Sequence, residues 1–408
     1  MSDKNSLFRL TGKVQHYQWG GFEYIPALLG IDNNKHQPFA EYWLGAHENA
    51  PAQLANGENL DQFIKENPGY LGEATKKIFG RLPYLLKILD VKDMLSIQVH
   101  PNKKAAVLEF AHENKKGTPL NAPDRNYKDD NHKPELMTAL SEFWLLHGFQ
   151  NPEALIKTIK AVPEFDFMVA IFEKDNYKKL YELVMTMDQS KVNAILQPLL
   201  DRIIPLYKAD NLQKDGPDFW AARAALTFNE GDKIDRGIFS IYLFNVVHLK
   251  EGQAVFQDAG ILHAYLEGQN VEIMANSDNV LRGGLTPKHI DVKELMKHVL
   301  FEPVTPNIIL GESLNDTERV FKTPAPDFEL SKIVLGANQT YHLNIHSADI
   351  FLVLNGAVEA VSGLNTQRFK HGEAFIAVNG SEIILKSITH AEIYRASVPA
   401  TRYQLAQS

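Results

Sequence analysis

Ser96, Gln98 and His100 alternate with Ile97 and Val99 in the run Ser96-Ile97-Gln98-Val99-His100-Pro101. Side chains on an extended chain point to alternate faces, so the three polar groups share one face and offer oxygen and imidazole to one point. Pro101 cannot donate to a β ladder, so the strand should stop there with His100 at its mouth. Two distant residues match this chemistry: Glu135, at the end of Asn131-His132-Lys133-Pro134-Glu135, and His263, after Gly260-Ile261-Leu262. Gln98, His100, Glu135 and His263 make a set of two imidazoles, one carboxylate and one amide. Zinc accepts such donors and keeps a position open for a substrate oxygen, and other divalent ions suit the set as well. The chain has no cysteine, which excludes disulfides, thiolate zinc sites and cysteine nucleophiles.

A second cluster lies downstream of His263. The segment from Val271 to Lys288 packs Glu272, Asp278, Arg282 and Lys288 around the pair Gly283-Gly284. Arg282 suits bidentate binding of a phosphate and Lys288 a second contact, so an anionic ligand beside a metal is the expected chemistry.

Several elements must bring these residues together. An apolar run, Leu85 to Leu89, precedes the strand that ends at His100. Asn102 can cap a helix that Gly117 stops. Thr118 to His132 holds two prolines and little apolar material, and reads as a long surface loop over a binding site. We expect its Arg125 and Lys128 to turn towards the cleft, and Asp124, Asp129 and Asp130 to face solvent. Near the amino terminus, His16 to Gly21 and Pro38 to Gly45 mix aromatics with glycines and are assigned a structural role. Residues 59–80 should be partly helical. From Asn151 to about Phe228 the apolar period changes from two to 3.6, which marks a helical insertion. Strand character returns at Ile238-Phe239-Ser240-Ile241-Tyr242 and continues through Leu249.

An internal repeat organises the second half. Lys250-Glu251-Gly252-Gln253-Ala254-Val255-Phe256 with Gly260 is matched, 120 residues on, by Lys370-His371-Gly372-Glu373-Ala374-Phe375-Ile376 with Gly380. Each copy is a turn glycine, an apolar strand and a second turn glycine. The first copy leads to His263, whereas the second has Ile383 at that place. A metal is therefore expected in the first unit only. The expected architecture is mainly β with a helical insertion. Residues 1–150 and 236–322 form one β domain around an insertion at 151–235, and 323–408 form a second β domain after a linker near Thr323-Pro324-Ala325-Pro326.

Length and charge bound the function further. A chain of 408 residues has room for two or three domains, and 44% hydrophobic with 23% charged residues is ordinary for a soluble protein. A net charge of -8 argues against nonspecific nucleic-acid binding. No apolar run reaches membrane-spanning length, and Met1-Ser2-Asp3-Lys4-Asn5 lacks the build of a signal peptide. A cytoplasmic, monomeric protein with a small-molecule partner, and neither nucleic acid nor membrane, is expected.

The motifs Ser96 to Pro101, Asn131 to Glu135, Gly260 to Tyr265 and Asn276 to Lys288 together resemble the type I mannose-6-phosphate isomerase (phosphomannose isomerase) family of the cupin superfamily. They run in the family's order over most of the chain. Gln18 is a departure, because the family commonly has aspartate there. The resemblance implies two cupin-type jelly rolls plus the helical domain, and one zinc ion held by Gln98, His100, Glu135 and His263. It also implies reversible conversion of mannose 6-phosphate and fructose 6-phosphate, with an essential arginine at Arg282. Such an isomerisation moves a proton between adjacent carbons through an enediolate. Lys133, Lys87, Glu272, Asp278 and His132 are candidates to carry protons: Lys133 and Lys87 rank first for the transfer, on the argument that nearby cations lower a lysine's proton affinity, and Asp278 or His132 for opening the ring. Ser96, Arg282, Lys288 and Tyr265 form the expected substrate-contacting set. Alternatives are a noncatalytic sugar-phosphate-binding bicupin and an iron-dependent cupin dioxygenase. Arg282, Lys288 and Gln98 count against the dioxygenase.

Overall fold

The computed structural model describes residues 6–399. It is mainly β, with sheets of ten, eight and four strands, and consecutive helices fill most of residues 152–243. No helix among the described residues is long and apolar enough to cross a membrane.

The ten-stranded sheet is built on the long strand His263–Ala275. Its later part pairs with Tyr84–Val91 on one side and Glu135–Ala139 on the other, whereas its first residues pair with Ile97–Val99 and Phe143–Phe149. The change of neighbours coincides with a register shift between Tyr265 and Glu267. Gly268 follows, at φ 125, where an added Cβ would lie 2.6 Å from the Glu142 carbonyl oxygen. A bulge and a glycine thus let one strand serve two sets of partners.

Alternation along Tyr84–Val91 decides what faces the site. Tyr84, Leu86 and Ile88 pack with Leu136, Val271 and Ile273 in a core shared with the eight-stranded sheet, so Lys87 points to the opposite face. The central strands of the eight-stranded sheet are buried on both faces. Ile350, Leu352 and Ile376 meet the ten-stranded sheet, while Phe351, Val353 and Phe375 meet the four-stranded one. This explains the near-continuous apolar run Asp349–Asn355.

Helices Pro152–Lys160, Asp166–Thr186, Gln189–Lys208, Pro217–Phe228 and Gly237–Leu243 bury their apolar stripes together with Ile97, Val99, Leu146 and Ala264. The insertion therefore covers the side of the strand Ile97–Val99 that its β-branched residues present.

Helix Lys103–Lys116 has the expected ends: Asn102 Oδ1 accepts from the Ala105 N–H at 2.9 Å, and Gly117 is left-handed. Three expectations need correction. Residues 238–242 are not strand but lie in helix Gly237–Leu243. All seven residues of that helix are buried, so its apolar run carries no period to read. Strand Leu7–Thr11, placed at the start of the first β unit, pairs with Ala374–Ala377 of the second copy of the repeat. Strands Glu312–Ser313 and Glu318–Phe321 also belong to the eight-stranded sheet. The proline segment 323–326 joins two paired strands of that sheet, with Phe321 opposite Leu330.

Candidate metal centre and active-site cleft

His100, Glu135 and His263 come together and are buried, with one donor atom from each lying within 4.8 Å of the others. His100 Nδ1–H donates to the Asn279 carbonyl at 2.8 Å, and His263 Nδ1–H to the Ile261 carbonyl at 2.9 Å. A carbonyl can only accept, so these bonds place each ring's proton on Nδ1 and leave a lone pair on Nε2. Those lone pairs face the carboxylate: His100 Nε2 is 3.5 Å from Glu135 Oε1, and His263 Nε2 is 3.3 Å from Glu135 Oε2. His100 Nε2, His263 Nε2 and Glu135 Oε2 have no hydrogen-bond partner. Three acceptors aimed at one another in a buried space suit a divalent cation and little else. Burial, then the Lys133 charge, pushes His100 down to about 4, so it is neutral at pH 7. Burial opposes the charge on Glu135, but the Lys133 ammonium beside it outweighs that and holds the carboxyl well below its usual range. Gln98 is directly opposite both His263 and Arg282 in the strand register, which sets it between the metal residues and the arginine.

Beside this trio, Lys133 Nζ contacts Glu135 Oε1 at 2.7 Å. Lys87 Nζ sits between Glu272 Oε2 at 3.1 Å and Glu41 Oε2 at 3.3 Å, over the Trp43 ring at 5.1 Å. The expected lowering of the lysine's proton affinity is not found at Lys87. Burial acts in that direction, but Glu41, Glu272 and Glu135 outweigh it and hold the ammonium charged. Glu272 is raised, chiefly by burial and against the opposing effect of Lys87. Tyr265, placed among the substrate contacts by sequence, is fully buried instead, and its hydroxyl donates to Glu272 Oε1 at 2.8 Å.

A cleft of about 1160 Å³ opens next to these groups, lined by Tyr17, Trp43, His47, Lys128, Asp129 and Asp278 among others. His100, Glu135 and His263 are not among its lining residues. Asp278 Oδ1 accepts from His47 Nε2–H at 3.2 Å and Oδ2 from Asn49 at 3.1 Å. Burial resists ionisation of Asp278, but the His47 bond and charge, with Lys133 and Lys87, hold it below the usual carboxylate value. Tyr17 and Trp43 belong to aromatic segments assigned a structural role, and no motif in the sequence marks His47. Their nearness to Glu41, which reaches Lys87, is visible only once the strand Glu41–Gly45 is paired with Tyr84–Val91.

His132 turns away from the cleft and pairs with the buried Asp327 at 2.8 Å. The loop 118–132 also differs from expectation. Arg125 is buried, donating to the carbonyls of Tyr127 and Thr118 and pairing with Glu113. Asp129 lines the cleft, where it accepts from the Asp278 N–H at 2.7 Å and from Ser277 at 2.8 Å. Backbone and hydroxyl donors, not solvent, satisfy its charge. Lys128 does line the cleft, and Asp130 is exposed. Arg282 is half-buried and makes no ion pair among the described residues. Burial lowers it, and burial is also the main cause that lowers Lys128 and Lys288, with the Arg282 charge adding to it at both. Ser96 is half-buried, just before the strand Ile97–Val99.

Residues 7–152 match the family model for the catalytic domain of type I phosphomannose isomerase. Mannose-6-phosphate isomerase of Salmonella typhimurium is 38% identical over 391 residues, covering 92% of this chain and 96% of that protein. The Escherichia coli enzyme is 36% identical over 392 residues, covering 93% and 96%. A crystal structure of the Salmonella typhimurium enzyme bound to its substrate and zinc aligns with a TM-score of 0.85 at 33% identity, covering 97% of this chain and 100% of that one. With this likeness running through sequence and fold alike, the chain belongs to the type I mannose-6-phosphate isomerase family and is an isomerase.

Proposed function

We propose that this isomerase interconverts mannose 6-phosphate and fructose 6-phosphate as a one-zinc enzyme, on a scaffold of two cupin-type jelly rolls of which the first carries the site. The observation that carries the reading is the set of three buried, unpartnered donors on His100, Glu135 and His263 beside a cleft. The relatives' shared name, and the zinc and substrate bound in a neighbouring structure, support it.

Zinc held by these three residues, with Gln98 as fourth ligand, would act as a Lewis acid on the sugar oxygens. The chain's own groups do the rest. Asp278, ionised on the cleft wall and fixed by His47 and Asn49, accepts the anomeric hydroxyl proton as the bond from that carbon to the ring oxygen breaks, and returns the proton to the ring oxygen. Glu272 has its proton affinity raised by burial, and it takes the proton from one carbon and returns it to the next. Lys87, kept cationic between Glu41 and Glu272, places a fixed positive charge beside the enediolate oxygen. Arg282 adds a second, and Lys288 with Lys128 meets the phosphate.

A coupled assay for fructose 6-phosphate formation, run with metal analysis before and after chelation, tests the reading. Turnover that disappears with the metal and returns with zinc is expected. A zinc-loaded protein without turnover would leave a binding protein.

A further inference from the structure

The end of the helical insertion meets the turn between Arg282, assigned to the reacting oxygens, and Lys288, assigned to the phosphate. Strand Leu281–Gly284 presents Arg282, and the turn Leu285-Thr286-Pro287 leads to Lys288. The two glycines of this strand let the insertion close on it. A Cβ on Gly283 would lie 2.6 Å from the Tyr181 hydroxyl, and one on Gly284 would lie 2.4 Å from the Gly237 Cα. Leu285 is then left-handed, at φ 53, a conformation that is strained for a residue with a Cβ. Something must hold it there.

Asp235 supplies the restraint. Its Oδ1 accepts from the Leu285 N–H at 2.9 Å and the Gly237 N–H at 2.7 Å, and its Oδ2 accepts from the Thr286 N–H at 3.1 Å. No lysine or arginine forms an ion pair with it among the described residues, so its carboxylate is committed to backbone donors. One side chain thus ties the first turn of helix Gly237–Leu243 to the turn between Arg282 and Lys288. It touches neither cation.

We propose that Asp235 is a positioning residue for the substrate's phosphate: it locks the Leu285-Thr286 turn and so fixes the separation of Arg282 and Lys288. The inference rests on the reading of Lys288 as a phosphate contact and of Arg282 as a fixed charge at the reacting oxygens. Asp235→Asn is the informative change. Asparagine keeps one acceptor oxygen but sets an amide N–H against a backbone N–H in either orientation of its head group, so the turn loses at least one restraint.

The zinc-loaded full chain, its Asp235→Asn variant and its Lys288→Ala variant are compared by kcat and KM for mannose 6-phosphate, by the inhibition constant of inorganic phosphate, by zinc content and by Tm. A displaced phosphate anchor should raise both KM and the phosphate inhibition constant of Asp235→Asn by about tenfold, with zinc content unchanged and kcat moved much less. If both constants stay at their original values, whatever happens to Tm, Asp235 is a structural brace only and the proposal is overturned. If Lys288→Ala leaves phosphate inhibition unaltered, the phosphate reading itself falls and takes this inference with it. Should the asparagine variant not fold, Asp235→Glu, which keeps both oxygens on a longer stem, is read by the same two constants.

Discussion

The two copies of the repeat, 120 residues apart, share a backbone and differ in what they bury. In the first, the Lys250 N–H donates to Gln253 Oε1 at 2.8 Å, and in the second the Lys370 N–H donates to Glu373 Oε2 at 2.9 Å. The turn glycines match as well, with Gly252 and Gly260 at φ 81 and 85 against Gly372 and Gly380 at φ 78 and 81. Beyond the second glycine the copies part. His263 places an unpartnered imidazole nitrogen beside Glu135 and His100, while Ile383 packs among Leu343, Phe351, Phe369 and Phe375. Gln257, which accepts from His147 at 2.7 Å, stands where the second copy has the apolar Ala377. An unpartnered buried polar atom costs about 1–3 kcal/mol, so three such atoms in one place are tolerated best if an ion binds them. The same strands can hold a metal or close over a dry core, and a few inward-facing residues decide which.

Making the first copy like the second should have the largest effect. His263→Ile is expected to abolish metal binding and to lower isomerase activity by more than about a thousandfold, since several kcal/mol of charge stabilisation go with the ion. Elemental analysis and the coupled assay read it; full metal occupancy in this variant would break the comparison. Arg282→Ala, in the segment that follows the first copy, should lower kcat by about a hundredfold with little change in KM, because its charge meets charge that develops during reaction. Lys288→Ala should do the reverse, raising KM about tenfold. An exchange of the two patterns in steady-state kinetics would exchange their roles.

The converse substitution, Ile383→His, should create no metal site, because no donor joins it in that apolar cluster. It is expected to destabilise the chain by about 2 kcal/mol in urea unfolding, the cost of burying an unpaired polar group. Acid should separate the two regions more gently. His100 and His147 are buried and pushed down to about 4, mainly by burial, whereas His342, His346, His371 and His390 are exposed. Below the unfolded-state value of about 6.5, the unfolded chain binds protons that the folded chain refuses at His100 and His147. Stability of the metal-free protein should therefore fall as pH drops from about 6.5 towards 4. A flat stability profile in urea titrations over that range would contradict the burial of these rings as neutral groups.

Much of this arrangement is legible in the sequence because local rules agree with the fold. Asn102 and Gly117 bound a helix as their types require, and the period change after Asn151 marks the insertion. Gln98, His100, Glu135 and His263 stand out as metal-binding types, and the structure brings the three residues with strong donors together. What escapes the sequence depends on pairing across long separations. Leu7–Thr11 joins a strand more than 360 residues away, Glu41 reaches Lys87 only across a ladder, and His132 is drawn off the cleft by Asp327. Arg125 reads as a cleft cation, yet nearby carbonyls and Glu113 consume its donors. Composition cannot reveal such local capture, because the same arginine is equally soluble, charged and long in either setting.

The central claim, that one copy of the repeat holds a catalytic ion and the other does not, is tested most directly by adding zinc back to the chelated protein while counting bound ions and following isomerase activity. Activity should rise in proportion to bound zinc and saturate at one ion per chain. Full activity in the chelated protein, or a rise that ends only at two ions per chain, would contradict it.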